Sequence, residues 1–218
     1  MSQSALLRLL MLLSPSFPIG AFAYSSGLEQ AVADGQVTGG ASLEEWLGAQ
    51  LKSGSVWNDA VFLNAAHGRA GDSVNLKTIA DLAKALSGSQ ERYLETMNLG
   101  GAFVDAVRAS GLPCPILPDE AAYPVVVGAV ASANAIGPED ASAAFLHGYV
   151  SNQIQCAIRL GVTGQNGGVA LLAKLEPVIM EVAAKAAQST QDDLGSNTIQ
   201  ADIAAMRHET LTTRIFRT

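Results

Sequence analysis

Ala121-Ala122-Tyr123-Pro124-Val125-Val126-Val127-Gly128-Ala129-Val130-Ala131-Ser132-Ala133-Asn134-Ala135-Ile136-Gly137 is the stretch on which the fold class turns. Val125-Val126-Val127 is the best strand candidate in the chain, since consecutive β-branched residues suit a pleated backbone. It lies, however, inside an alanine-rich window that suits a buried helix better. The reading adopted is a helix from about Tyr123 that stops at Gly137. Pro138 then sits at the first position of the next helix, with Glu139 and Asp140 in its first turn, and that helix runs to about Leu160.

Outward from there, nearly every long segment carries the helical period and alternating stretches are scarce. A first helix runs to about Leu13 and breaks at Ser14-Pro15-Ser16-Phe17-Pro18-Ile19-Gly20, where two prolines and a glycine forbid continuous helix. A short helix is expected from about Ser26 to Ala33. Ser42-Leu43-Glu44-Glu45 reads as a capping box that opens one helix fading near Gly68. Helices follow near 75–87 and 89–110, then an irregular connection through Pro113, Pro115 and Pro118. Beyond the glycine-rich turn Gly161–Gly168 comes an alanine-rich helix to about Gln188, a polar linker, and a short helix from Ile199 to His208. No repeat and no composition break marks a second domain. The expectation is one compact all-α domain over 1–218, with a flexible C-terminal tail at about 209–218.

Apolar residues make up 49% of the 218 and charged residues only 15%, against about 25% charged in ordinary globular chains. A chain this short of charge leaves apolar surface exposed, which points to a partner or an oligomer. The net charge is −7 and no stretch concentrates Lys and Arg, so nucleic-acid binding is not expected. Cys114 and Cys156 form neither a CxxC motif nor a disulfide framework and read as small buried hydrophobes in a reducing compartment. The leucines between Leu6 and Leu13 imitate a signal-peptide core. Arg8 interrupts them, no basic region precedes them, and the run is far too short for a bilayer. They read as a buried first helix of a cytoplasmic protein, with no membrane partner.

The chemistry-bearing residues assemble into no recognisable catalytic pattern. His67, His147 and His208 are never three or four residues apart, so no metal ligand set is expected. His208-Glu209 starts like HExxH, but Thr212 stands where the second histidine belongs. Gly164–Gly168 lacks the GxxxxGK[ST] pattern, and no GxSxG or dinucleotide fingerprint occurs. A non-enzyme is therefore expected, the rival being a helical hydrolase or lyase using Glu29 or His208. Two places stand out. The loop and helix start from Ser14 to Glu29 gather Ser16, Tyr24, Ser25, Ser26 and Glu29 near one helix N-terminus. The chain end crowds Arg207, His208, Glu209, Arg214, Phe216 and Arg217 together, the arginine and aromatic mixture that binding hot spots favour.

At these two places the sequence resembles the UreF family of urease accessory proteins. Ser14, Pro18-Ile19-Gly20, Tyr24-Ser25 and Gly27-Leu28-Glu29 look like the family's N-terminal signature. Arg207-His208-Glu209-Thr210 with Arg214-Ile215-Phe216-Arg217-Thr218 looks like its ending, Ile215 and Thr218 standing where Leu and Ser are usual. Arg159 holds the place of a family lysine ahead of the Gly164-Gln165 turn. The resemblance implies an all-α homodimer that binds the accessory protein UreD (UreH) and the GTPase UreG. It implies that this complex delivers nickel to the urease apoprotein, and that the chain has no cofactor of its own. The partner-binding residues it implies are Pro18, Gly20, Tyr24, Ser25, Glu29, Arg159, Gln165, Arg207, His208, Glu209, Arg214, Phe216 and Arg217. On that reading the C-terminal segment folds onto UreD with Phe216 as its anchor, and Tyr24, Ser25, Glu29 and Arg159 face UreG. The alternative is a helical regulator of some other GTPase.

Overall fold

The computed structural model describes all residues 1–218 and is helical throughout: α1 Gln3–Leu12, α2 Leu28–Ala33, α3 Gly40–Ser53, α4 Ser55–His67, α5 Ser73–Ala85, α6 Gln90–Ser110, α7 Tyr123–Ala133, α8 Pro138–Arg159, α9 Gln165–Gln188 and α10 Ile199–His208. Short 3-10 turns occupy Ala21–Ala23 and Gln191–Asp193, and no strand is present. Val125-Val126-Val127 is helical, inside α7. Every residue of α7 from Pro124 to Ala131 is buried, and a helix surrounded on all sides carries apolar residues all round instead of in one stripe. Gly128 permits the close contact: a Cβ there would stand 2.0 Å from the Leu63 carbonyl oxygen of α4.

α4 is the hub, packed by α3, α5, α7, α8 and α9, while α10 lies on α2 and α6. A row of aromatic rings ties the Ser14–Gly20 loop to the bundle. Phe17 meets Phe103 with ring centroids 5.3 Å apart, Phe103 meets Tyr123 at 5.6 Å, and Tyr123 meets Phe145 at 5.4 Å. The polar linker before α10 is held to α3 and α4 by three bonds. Trp57 Nε1 donates to the Asp193 carbonyl (3.0 Å), the Gly195 amide to Asn58 Oδ1 (2.8 Å), and the Asn197 amide to the Ser53 carbonyl (2.8 Å).

Three sequence expectations need correction. The helix expected from Ser42 to Gly68 is two helices, because the backbone turns out of helix at Gly54, where a Cβ would stand 2.3 Å from Gln50 Oε1. Ser42 is not the N-cap. It lies one turn inside α3, where its hydroxyl accepts from the Thr38 and Gly39 amides (3.0 and 3.1 Å). α1 is buried on one side only: Ala5, Leu9 and Leu12 face the core, whereas Leu6, Leu7, Leu10 and Met11 are exposed. It sits at the rim of the bundle with neighbours on one flank.

Candidate functional site

The two ends of the chain meet. Gly20 and Gly27, both in the left-handed region (φ 76° and 83°), bracket the segment that carries the 3-10 turn into α2. At Gly27 a side chain is also excluded by space, since its Cβ would stand 2.9 Å from the Ala205 amide nitrogen of α10. α10 is thereby brought onto α2, and the residues after His208 run back across residues 23–29. The Arg217 amide donates to the Ala23 carbonyl and the Ser25 amide to the Thr218 carbonyl, both at 2.8 Å. The Ser25 hydroxyl donates to the Thr218 carbonyl as well.

Glu29 is the centre of this junction. Its carboxylate accepts from the backbone amides of Ile215 (2.7 Å) and Phe216 (3.0 Å) and faces His208 Nε2 at 3.1 Å. The other ring nitrogen of His208 faces Glu91 Oε2 at 2.6 Å, and Arg214 pairs with the second Glu91 oxygen. His208 is fully buried. A second cluster lies one turn along α6. Glu95 accepts from the Ser26 hydroxyl (3.1 Å) and from the Thr218 hydroxyl (3.2 Å) and forms an ion pair with Arg92 (3.2 Å), and Arg92 also pairs with Asp59 of α4. Burial pushes the Asp59 and Glu95 carboxyls above the usual carboxylate range, with Arg92 opposing the shift. Burial also raises the Cys156 thiol to about 12, which leaves it protonated and unreactive at neutral pH.

The residues expected as a flexible tail, 209–218, lie against the bundle in the structure. Phe216 and Thr218 are buried against this chain's own core, and the segment is fastened by backbone, carboxylate and hydroxyl contacts. Tyr24, Ser25 and Glu29, expected to face a partner, contact this chain's own tail and loop in the structure. All three are buried, because each holds the tail or the loop: the Tyr24 carbonyl accepts from Asn152 Nδ2 (3.0 Å) and its hydroxyl from Asn98 Nδ2 (3.4 Å). His208 and Phe216, expected at a partner interface, likewise point inward.

The remaining expected residues divide. Arg159 joins the junction from α8, donating to the Phe22 carbonyl (2.7 Å) and stacking over the Phe216 ring (4.2 Å to the centroid). Arg207 pairs with Asp34 at 2.6 Å, and Glu209 accepts from the Gln90 amide (2.9 Å) at the start of α6. Pro18 and Gln165 are exposed and make no contact with the cluster. The residues that sequence reading missed are Glu91, Arg92, Glu95 and Asp59. A Glu-Arg-x-x-Glu run in an amphipathic helix looks like any solvated face, and no local signal marks its burial.

What the junction leaves outside is a compact face. Phe22 and Ile215 are 68% and 62% exposed. Arg159 and Arg217 stand beside them without a carboxylate partner, since the ion pairs of the chain involve other cations. Exposed apolar groups and unpaired arginines are the side chains that protein interfaces favour. No group of three or more His, Cys, Asp or Glu side chains converges as a metal cage, and no helix is long and apolar enough to cross a membrane. The fold and the site thus define an all-α protein that fastens its own chain end onto the segment leading into α2.

A family model described as UreF matches residues 37–176. The chain is 59% identical over 216 residues to "Urease accessory protein UreF" of Rhizobium leguminosarum bv. trifolii, covering 98% of this chain and 96% of that one. It is 54% identical over 217 residues to the protein of the same name from Agrobacterium fabrum, with the same coverage. It is 51% identical over 217 residues to "Urease accessory protein UreF 1" of Brucella canis, covering 98% and 94%. The chain belongs to the UreF family of urease accessory proteins. The family model stops short of both terminal motifs, whereas the relatives align with 98% of the chain.

Proposed function

We propose that this chain is a cytoplasmic maturation factor for urease, working as a homodimer in one complex with UreD (UreH) and the GTPase UreG. In that complex it acts as scaffold, modulates GTP hydrolysis by UreG, and supports nickel insertion into the urease apoprotein. Nickel is cargo handled by the partner complex. The observation that carries the reading is the face made by Phe22, Ile215, Arg159 and Arg217, built on the paired chain ends of a UreF-family protein. Sequence reading divided the two termini between two partners. Their juxtaposition supports a single docking surface instead, on which Phe22 and Ile215 supply apolar anchors and the two arginines meet carboxylates of the partner.

The test is urease activation in cells that express the urease subunits and all accessory proteins, with and without this chain, under ample nickel. Activity should be lost without the chain while the apoprotein still accumulates. The double variant Phe22→Asp/Arg217→Glu, which alters exposed positions only, should lose capture of UreD or UreG and depress activation at unchanged thermal stability. Full capture and activation by a folded double variant would remove this face from the proposal.

A further inference from the structure

His208 is fully buried, and each of its ring nitrogens faces a carboxylate oxygen: Nε2 faces Glu29 at 3.1 Å and Nδ1 faces Glu91 at 2.6 Å. A neutral imidazole has one N–H, so it donates at one contact and opposes a lone pair to the carboxylate at the other. Both contacts are satisfied together only when the trio holds one extra proton, on the ring or on a carboxyl. The titratable and charged groups around the trio are few, and on the α8 side they are Cys156 and the Arg159 that donates to it. Arg214 reaches it from the tail, on Glu91. Arg92 and Glu95 lie on the next part of α6 and are engaged with Asp59, Ser26 and Thr218. Arg207 of α10 is turned away to Asp34, and Glu209 to the start of α6. Arg214 is thus the one cation that touches the trio, and it belongs to the same tail that covers Glu29.

We propose that this proton latches the C-terminal segment, so that docking of residues 214–218 is coupled to proton uptake and the binding face exists only while the latch is protonated. The second half of this statement rests on the docking reading given above; the first half does not. When the extra proton leaves, the buried carboxylate of Glu29 and the partly buried one of Glu91 remain against one partly exposed arginine. A carboxylate left uncompensated in the interior is costly. The way to hydrate Glu29 is to lift off the backbone amides of Ile215 and Phe216, which moves Ile215 and Arg217 out of the face and uncovers Phe216. The helices need not move, because Glu29, Glu91 and His208 sit on α2, α6 and α10, which keep their other contacts.

The experiment follows the amide resonances of Ile215 and Phe216 and the ring nitrogens of His208 in the full-length protein as the pH is raised across the range in which the bundle stays folded. The expected result is loss of the ring proton together with loss of the docked amide positions. One linked proton makes the docked-to-free ratio fall by up to about tenfold per pH unit. In Glu91→Gln the amide donates to a neutral Nδ1 while its oxygen still accepts from Arg214, so both contacts survive without the extra proton and the tail should stay docked across the range. In His208→Gln no imidazole remains, and tail occupancy, whatever its level, should be flat with pH. Tail amides that do not move in the native sequence overturn the latch, as does movement of the same size in Glu91→Gln. Capture of UreD and UreG at both ends of the range separates the two readings: tail movement with flat capture leaves the latch and removes the docking face.

Discussion

α7 and the terminal junction are both buried, and they are buried by opposite chemistry. Around α7 the contacts are Val, Ala, Phe and one close-approach glycine, and the backbone satisfies itself within the helix. At the junction Glu29, Glu95 and His208 are buried and Glu91, Arg92 and Asp59 partly so, and the backbone that Glu29 satisfies belongs to a non-helical tail. Apolar packing is non-directional and tolerates any arrangement that fills the volume. A buried carboxylate is intolerant: it is stable only with its own donors in place. The difference teaches that the bundle supplies the stability and the junction supplies the geometry of one surface.

The largest effect expected from breaking that division is at the apolar centre. Phe103→Ala, in the middle of the aromatic row, should cost about 3–5 kcal/mol and lower the chemical-denaturation midpoint of the whole chain. Next is Glu29→Gln. It removes an acceptor from two tail amides, costing about 1–3 kcal/mol, and the loss should be local. Hydrogen exchange at residues 215–218 should rise steeply while the bundle helices keep their protection. A parallel loss of protection in α4 and α7 would mean that the junction also holds the bundle. A smaller effect should appear with pH. The Asp59 and Glu95 carboxyls are raised by burial, so the folded state binds protons more tightly than the unfolded one. Their contribution is fully present below the unfolded carboxylate range, near about pH 4, and is lost as pH rises through the folded values. Denaturation midpoints should therefore show a downward slope above that range, and Glu95→Gln should flatten it. The smallest effect is expected at the exposed Lys84–Glu120 pair, where Lys84→Ala should leave the melting temperature unchanged.

How much was legible follows the same division. The helices were readable because burial of a helix writes a period of 3.6 into its own residues, and Pro124, Pro138 and the glycine stops punctuate it. The misread break at Gly54 came from two helices whose apolar patterns run on across one glycine. The two terminal motifs were legible as places that stand out, but not their contact with each other. Tyr24, Ser25, Glu29, His208 and Phe216 face inward, and nothing local distinguishes a polar residue kept for a partner from one kept for the chain's own tail.

The amino-acid sequence by itself determined the helical class, the single domain and the family, because periodicity, punctuation and motif order are properties of neighbours along the chain. Only the tertiary structure decided that Glu29 and His208, 179 residues apart, share a hydrogen bond, that the tail is fastened instead of free, and that Phe22, Arg159, Ile215 and Arg217 form one face. Those facts depend on α10 crossing α2 at Gly27, a contact set by space between distant segments that no local pattern records.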